Sequence, residues 1–185
     1  EGQGILSVSK HFPGHGDTAE DSHYTLPAVH QDRARLDSVE LLPFKRYIYD
    51  GYAGVMTGHL YVPALDKTRD NPVSMSRAVV TDLLQEELGF RGLCFTDALA
   101  MKGASTRKSD NPCVKALLAG NDILLAPAAP FTDFAAVKAA LEEGILDRKE
   151  IEAKVIKVLQ YKYIAGLNDY RPVETEGLSE RLNSP

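Results

Sequence analysis

Four short apolar runs, each followed by a helical pattern, constrain the fold of this chain more than any other feature. The runs occupy residues 4–9, 54–59, 92–97 and 122–126. Strands that are apolar on both faces are typical of a parallel sheet covered by helices. A complete eight-stranded α/β barrel needs about 250 residues, whereas this chain has 185. The sequence therefore predicts an α/β fold of strand–helix units around a parallel sheet, which is either open or about half of a TIM (β/α)8-type barrel.

The helices are predicted from the residues at their ends. Asp37 and Glu40 have the spacing of a capping box, which predicts that the first helix begins there. Gly120 is expected to end a helix, and Asp147 is expected to begin the last one. The polar segment 169–185 that follows is predicted to be a linker.

Ionisable side chains stand at the carboxyl ends of three predicted strands. Lys10 and His11 follow the first strand, His59 ends the second and Asp97 ends the third. In a parallel sheet these ends share one rim, where α/β folds carry their chemistry. We therefore expect these residues to converge on one pocket.

Asp97 is the first candidate for a catalytic group. A carboxylate at the end of a buried strand must be solvated in a cleft or paired. It therefore either acts on a ligand at the rim or has a structural role, as the cap of the next helix or the partner of a lysine.

The segment 21–23 (DSH) is the second candidate. A carboxylate bonded to one ring nitrogen of a histidine fixes the tautomer and raises the basicity of the other nitrogen. Asp21 and His23 have a spacing that permits this contact, although most such triplets are surface loop. Their place in a loop of about 25 residues favours a functional role, because loops of that length often cover active sites.

A metal site at His11 and His15 is disfavoured. Zinc motifs with this spacing need a helix that brings both rings to one face, and the intervening Pro13 and Gly14 exclude a helix. No helix opens directly after these glycines to bind a phosphate. We therefore expect no metal and no cofactor.

Composition limits the partners. The net charge is −5 and no basic block stands out, which argues against nucleic acid. No apolar run approaches the roughly 20 residues of a membrane helix. Cys94 and Cys113 are too few for a disulfide framework, and Cys94 is predicted to be a core residue. The cellular compartment stays undetermined at this point.

Several segments in one order resemble family 3 glycoside hydrolases of the β-N-acetylglucosaminidase type. They are KHFPGHGDT at 10–18, DSH at 21–23, VMTGH at 55–59, ELGFRG at 87–92, FTDALAMKG at 95–103 and AGND at 119–122. The similarity extends over nearly the whole chain.

This resemblance implies a (β/α)8 barrel and a retaining, two-step mechanism. Asp97 would be the nucleophile, and His23, oriented by Asp21, would serve as general acid and then general base. The residues implied in binding the carbohydrate are Lys10, His11, His59 and Met101, with Lys10 also helping to keep Asp97 ionised.

The resemblance further implies that residues 1–168 are the C-terminal half of the catalytic barrel. The expected substrate is a terminal β-linked N-acetylglucosamine of a sugar derived from peptidoglycan or chitin. A β-N-acetylglucosaminide phosphorylase and a catalytically inactive carbohydrate-binding module remain as alternatives. The fragment alone is expected to self-associate, for example as a dimer that completes a pseudo-barrel, and to be nearly inactive.

Overall fold

The computed structural model describes residues 1–2, 4–18, 20–22, 24–104 and 110–183. Three parallel strands form one sheet in the order β1-β2-β3. They are β1 (Val8–Phe12), β2 (Gly54–Thr57) and β3 (Leu93–Thr96). Helices connect successive strands, so the predicted α/β class with a parallel sheet is confirmed.

The first strand lies further along the chain than predicted. It begins at Val8 and includes Lys10 and His11, and its register against β2 shifts between Lys10 and Phe12. Ile5, which was predicted to be in a buried strand, is 73% exposed. Glu1 holds this leading segment, because its carboxylate accepts hydrogen bonds from the backbone N–H groups of Ser7 and Ala53.

The predicted fourth strand is only a short extension of the sheet. Ile123 forms a parallel bridge with Phe95, and its carbonyl accepts from Thr96 N at 3.0 Å. The next amide, of Leu125, donates to the side-chain Oγ1 of Thr96 instead of to a backbone carbonyl. The ladder is thereby interrupted, and residues 122–126 follow β3 without forming a regular strand.

The helices are α1 (Arg33–Arg35), which continues as a π-helix (Leu36–Glu40), α2 (Leu42–Tyr49), a second π-helix (Ala78–Glu87), α3 (Pro112–Ala119), α4 (Pro130–Glu142), α5 (Arg148–Ile164) and the short α6 (Leu178–Leu182). Short 3-10 turns lie at Val73–Met75, Lys102–Ala104 and Leu167–Asp169.

Two predicted helix ends are confirmed and one is wrong. Asp147 caps α5 by accepting from two backbone amides, and Gly120 ends α3 with φ 117°. The first helix is capped by Asp32, whose carboxylate accepts from Arg35 N at 2.8 Å. Asp37 lies inside the helical segment instead and pairs with Lys45 at 2.9 Å. The charged neighbours of Asp37, and not a capping box, account for its position.

The main core lies between the sheet and the helices that precede β2 and β3. Its largest fully buried side chains include Phe12, Leu41, Leu60 and Leu84. Cys94 belongs to this core, as predicted, and burial raises the pKa of its thiol to about 11.

The face of α5 is different, because none of its residues is buried. Its exposed apolar residues are Val155, Ile156, Leu159, Tyr163 and Ile164. Among the described residues, no helix has the length and apolar character needed to span a membrane.

Candidate active site

The carboxyl ends of the three strands bring three predicted site residues together. His11 lies at the end of β1, and its Nε2 is 3.5 Å from Oδ2 of Asp97. Asp97 directly follows β3. His59 follows β2, and its Nε2 is 3.1 Å from the carbonyl oxygen of Ala98. These residues share one rim because parallel strands end on the same side of a sheet.

Asp97 is held on two sides and is only slightly accessible. Its backbone N–H donates to the carbonyl of Thr57 at 2.9 Å, which joins it to β2. Its Oδ1 accepts from Ala98 N at 2.8 Å. The side chain is 13% exposed, and Oδ2 is the oxygen beside His11. The carboxylate is thus fixed at the rim with one oxygen anchored in its own loop and the other toward an imidazole.

His11 and His15 form an imidazole pair at this rim. Their ring centroids are 5.9 Å apart in an edge-on arrangement. The Nδ1 of His15 lies 2.8 Å from Thr18 Oγ1, and its Nε2 lies 3.1 Å from Ser22 Oγ. His15 therefore links the start of the glycine-rich loop to its far end.

The loop that carries the predicted acid–base pair lies against the loop that follows Asp97. Ser22 is buried, and its carbonyl accepts from Gly103 N at 3.2 Å. The carbonyl of Asp21 accepts from the amides of Tyr24 and Thr25 at 3.0 and 3.1 Å. Asp21 is exposed. His23 itself lies outside the described residues, so its predicted role rests on the sequence.

The other predicted binding residues differ in exposure. Lys10 is exposed on β1, and no ion pair joins it to Asp97 within the described part of the chain. Met101 is partly buried, and its amide donates to the carbonyl of Ala98 at 3.0 Å. His59 is fully buried, so it does not lie on the accessible surface of the rim.

Sequence reasoning missed a group of buried polar side chains beneath the rim, formed by Thr57, Ser74 and Asn121. One sequence feature could have identified Asn121. It lies between the glycine that ends a helix and the run 122–126, so it is expected to be buried, and a buried amide needs hydrogen-bond partners inside the protein. Glu40, which was predicted to complete a capping box with Asp37, instead pairs with Arg35 at 3.1 Å and lies beneath Gly14 of the loop. A Cβ at Gly14 would be 2.8 Å from that of Glu40, so the loop can lie this close to Glu40 only with glycine at position 14.

No group of three or more His, Cys, Asp or Glu side chains that could hold a metal ion occurs within the described ranges. A cavity of about 260 Å³ lies near the opposite, amino-terminal end of β3, and its lining includes Arg77, Asp122 and Lys154. It is separate from the carboxylate and imidazole groups of the rim.

The domain is of the α/β class, with a parallel sheet and helices packed on it. It carries a carboxylate and imidazoles at the carboxyl ends of the strands, where enzymes of this class have their active sites. Residues 1–161 match the glycosyl hydrolase family 3 N-terminal domain. The chain belongs to this family.

Relatives and solved structures agree with this assignment. The chain is 36% identical to β-hexosaminidase A of Pseudoalteromonas piscicida, over 88% of this chain and 30% of that protein. It is 36% identical to a β-hexosaminidase of Chromobacterium violaceum, over 66% of this chain and 34% of that protein. A family 3 β-N-acetylglucosaminidase from Paenibacillus sp. superposes with a TM-score of 0.85 at 36% identity, covering 92% of this chain and 33% of that one. The chain thus spans about a third of the length of the curated relatives it matches.

Proposed function

We propose that the polypeptide containing this chain is an exo-acting β-N-acetylglucosaminidase. The observation that carries the proposal is the fixed carboxylate of Asp97, which faces His11 at the strand-end rim of a family 3 domain. The names of the relatives support the choice of N-acetylglucosamine as the sugar. Sugars derived from peptidoglycan or chitin are the proposed source of the substrate.

The proposed reaction is a double displacement with net retention. Asp97 attacks the anomeric carbon, a glycosyl–aspartate ester forms, and the glycosidic bond to the leaving oxygen breaks. His23 donates a proton to that oxygen, and Asp21 orients its ring. In the second step His23 removes a proton from water, which attacks the anomeric carbon and releases Asp97. One group that first gives and then takes a proton satisfies both steps.

The anchoring of Asp97 suits a nucleophile. The hydrogen bond from Ala98 N to Oδ1 leaves Oδ2 as the oxygen on the His11 side. A carboxylate that is already oriented needs little rearrangement before attack. His11, and not the more distant Lys10, is the group within ion-pair distance of Asp97. Lys10 and Met101 remain proposed contacts to the sugar, together with His11.

We also propose that the chain forms the C-terminal half of a (β/α)8 barrel. The ordered sheet ends at β1, an edge strand whose Val8 is 38% exposed. Ile5 beside it and the apolar face of α5 are exposed as well. Exposed strand edges and contiguous apolar surfaces favour pairing with further structure. The remaining strands of a barrel would pair with the β1 edge, and its remaining helices would pack beside α5.

The test is turnover of an aryl β-N-acetylglucosaminide by the polypeptide that contains this chain, with and without inorganic phosphate. We expect free N-acetylglucosamine, released at the same rate in both conditions. Release of the sugar 1-phosphate with a requirement for phosphate would contradict hydrolysis. Absence of turnover with intact binding of the sugar would contradict an enzymatic role.

A further inference from the structure

Among the described residues, four fully buried polar residues beneath the rim are linked to one another by hydrogen bonds of their side chains. They are Thr57, His59, Ser74 and Asn121, each with a relative exposure of 0%. Polar groups are costly to bury unless they are hydrogen-bonded. The proposed chemistry uses none of these groups directly, so their shared burial beside Asp97 needs a separate reason.

The contacts of His59 determine which ring nitrogen carries the proton. Its Nε2 is 3.1 Å from the carbonyl oxygen of Ala98, which can only accept, so Nε2 is protonated and donates. Its Nδ1 is 2.8 Å from Ser74 Oγ and, in the neutral ring, accepts from that hydroxyl. Burial lowers the pKa of His59, which agrees with a neutral ring.

Ala98 connects His59 to the nucleophile. The N–H of Ala98 donates to Oδ1 of Asp97 at 2.8 Å, while its carbonyl accepts from His59 and also from the amide of Met101. The backbone of this residue is therefore fixed on both sides. The N–H and the carbonyl belong to the two peptide units that flank Cα of Ala98, so the φ and ψ angles of this residue set the geometry between the two contacts.

Asn121 ties the two supports of Asp97 to each other. Its Nδ2 donates to the carbonyl of Ser74 at 2.7 Å, and its Oδ1 accepts from Thr57 Oγ1 at 3.0 Å. The carbonyl of Thr57 in turn accepts from the amide of Asp97. A continuous buried network thus runs from Asn121 to both sides of the nucleophile.

We propose that His59 is a positioning residue for Asp97, which it orients through the carbonyl of Ala98, and that Ser74 sets the required tautomer. The inference rests on the proposed role of Asp97 as the nucleophile. In this proposal His59 acts from beneath the active-site surface and does not contact the sugar directly.

A matched pair of substitutions separates the two ring nitrogens. His59→Gln places an amide N–H near the position of Nε2 and can keep the bond to Ala98. His59→Asn places its amide near Nδ1 and can keep only the contact to Ser74. A shift of a reacting group by about 1 Å can cost about 100-fold in rate, so we expect His59→Asn to lower kcat by this order with little change in KM. We expect His59→Gln to stay within about threefold of wild type.

The substrate dependence distinguishes a misplaced nucleophile from a lost acid. His59→Asn should slow aryl glycosides with good and poor leaving groups equally, because both need attack by Asp97. His23→Ala should spare the substrates with good leaving groups, whose departure needs little protonation. Equal losses in the Asn and Gln variants, or unchanged kcat in His59→Asn, would overturn the proposal.

Two further measurements keep the test decisive. If His59→Asn does not fold, Ser74→Ala removes the partner of Nδ1 but leaves the ring, and we expect a loss of about tenfold in kcat at unchanged KM. Full activity of a folded Ser74→Ala variant would then overturn the proposal. Nitrogen-15 NMR of labelled histidine reports the tautomer of His59 without turnover, and a ring protonated at Nδ1 instead of Nε2 would also overturn it. Failure of the proposed function would instead appear as an inactive wild-type enzyme with the expected tautomer.

Discussion

At the scale of single residues, the site depends on a glycine that allows two loops to touch. A Cβ at Gly103 would lie 2.8 Å from the Ser22 carbonyl oxygen, 2.9 Å from that of Thr25 and 3.0 Å from His59 Cβ. Two of these neighbours are backbone atoms, which cannot move without displacing the loop. Close approach of one loop to the other therefore requires glycine at this position.

We predict that Gly103→Ala displaces the loop that carries Asp21 and His23. Activity on substrates with poor leaving groups should fall by about 100-fold, and activity on activated aryl glycosides should fall less. Gly16→Ala is the matched control, because nothing lies within 4 Å of its added methyl group. Steady-state kinetics on the two substrate types decide the matter, and equal behaviour of the two variants would refute the role of Gly103.

The buried ring of His59 gives a second prediction, on pH and stability. Burial lowers the pKa of His59 from the ordinary value of 6.5. The hydrogen bond to Ala98 and the charge of Asp97 oppose this shift, whereas the nearby His11 lowers the pKa further. Below about pH 6.5 the unfolded chain therefore binds more protons at this residue than the folded protein. The free energy of unfolding should fall as pH drops from 6.5 toward the lowered pKa. His59→Gln should lose this part of the pH dependence in urea unfolding at pH 5 to 7, and an unchanged slope would contradict the assignment.

At the scale of elements, a buried charge cluster fastens α5 to the sheet. The side chain of Asp122 is 2% exposed, and its Oδ2 lies 2.8 Å from Nζ of Lys157 and accepts from Cys94 N at 2.9 Å. Lys154 is 3.9 Å away at Oδ1, and burial lowers the pKa of this lysine while Asp122 opposes the shift. Ion pairs to Asp122 therefore help to hold the last long helix to β3, in addition to the apolar packing of Ile151, since α5 buries no residue fully.

Removal of this carboxylate should destabilise the fold. Breaking a buried pair typically costs 3–5 kcal/mol, and the partial exposure of both lysines reduces the expectation for Asp122→Ala to about 2–3 kcal/mol. Asp82→Ala is the control, because its pair with Arg77 is exposed and should contribute less than about 1 kcal/mol. Denaturant unfolding of both variants tests this. A loss of unfolding free energy in Asp122→Ala no larger than that in the control would contradict the proposed role of Asp122.

The elements also show where sequence patterns suffice. The caps at Asp147 and Gly120 were predictable because capping depends on local backbone geometry. The start of the first helix could not be predicted from Asp37, because an Asp can cap a helix, as Asp32 does, or pair with a cation inside one, as Asp37 does with Lys45. The irregular fourth strand could not be predicted either, since a side chain on β3 interrupts its ladder.

At the rim, too, some features could be predicted from the sequence and others depend on contacts between distant residues. Strand-end positions predicted that His11 and Asp97 would meet, because parallel topology alone brings them together. The burial of His59 depends on Ser74 and Ala98, which are distant in sequence, so no local pattern could reveal it.

At the scale of the whole molecule, the uncovered surfaces lead to a prediction on association. Apolar residues are exposed both at the β1 edge and along α5. We expect the 185-residue chain, produced alone, to self-associate and to lack most of the activity of the longer polypeptide. Light scattering over a concentration series and an aryl N-acetylglucosaminide assay test both parts. A monomer at all concentrations with robust activity would contradict the half-barrel proposal.

The proposed mechanism requires that Asp97 forms the covalent bond to the sugar. A fluorinated N-acetylglucosaminyl substrate with slow hydrolysis of the intermediate should label the polypeptide once, and mass spectrometry of the digested protein identifies the labelled peptide. We predict that the label lies on Asp97, and that Asp97→Ala abolishes labelling and lowers kcat by several orders of magnitude. A label on another residue, or a folded Asp97→Ala variant that keeps more than about a tenth of wild-type turnover, would contradict the claim.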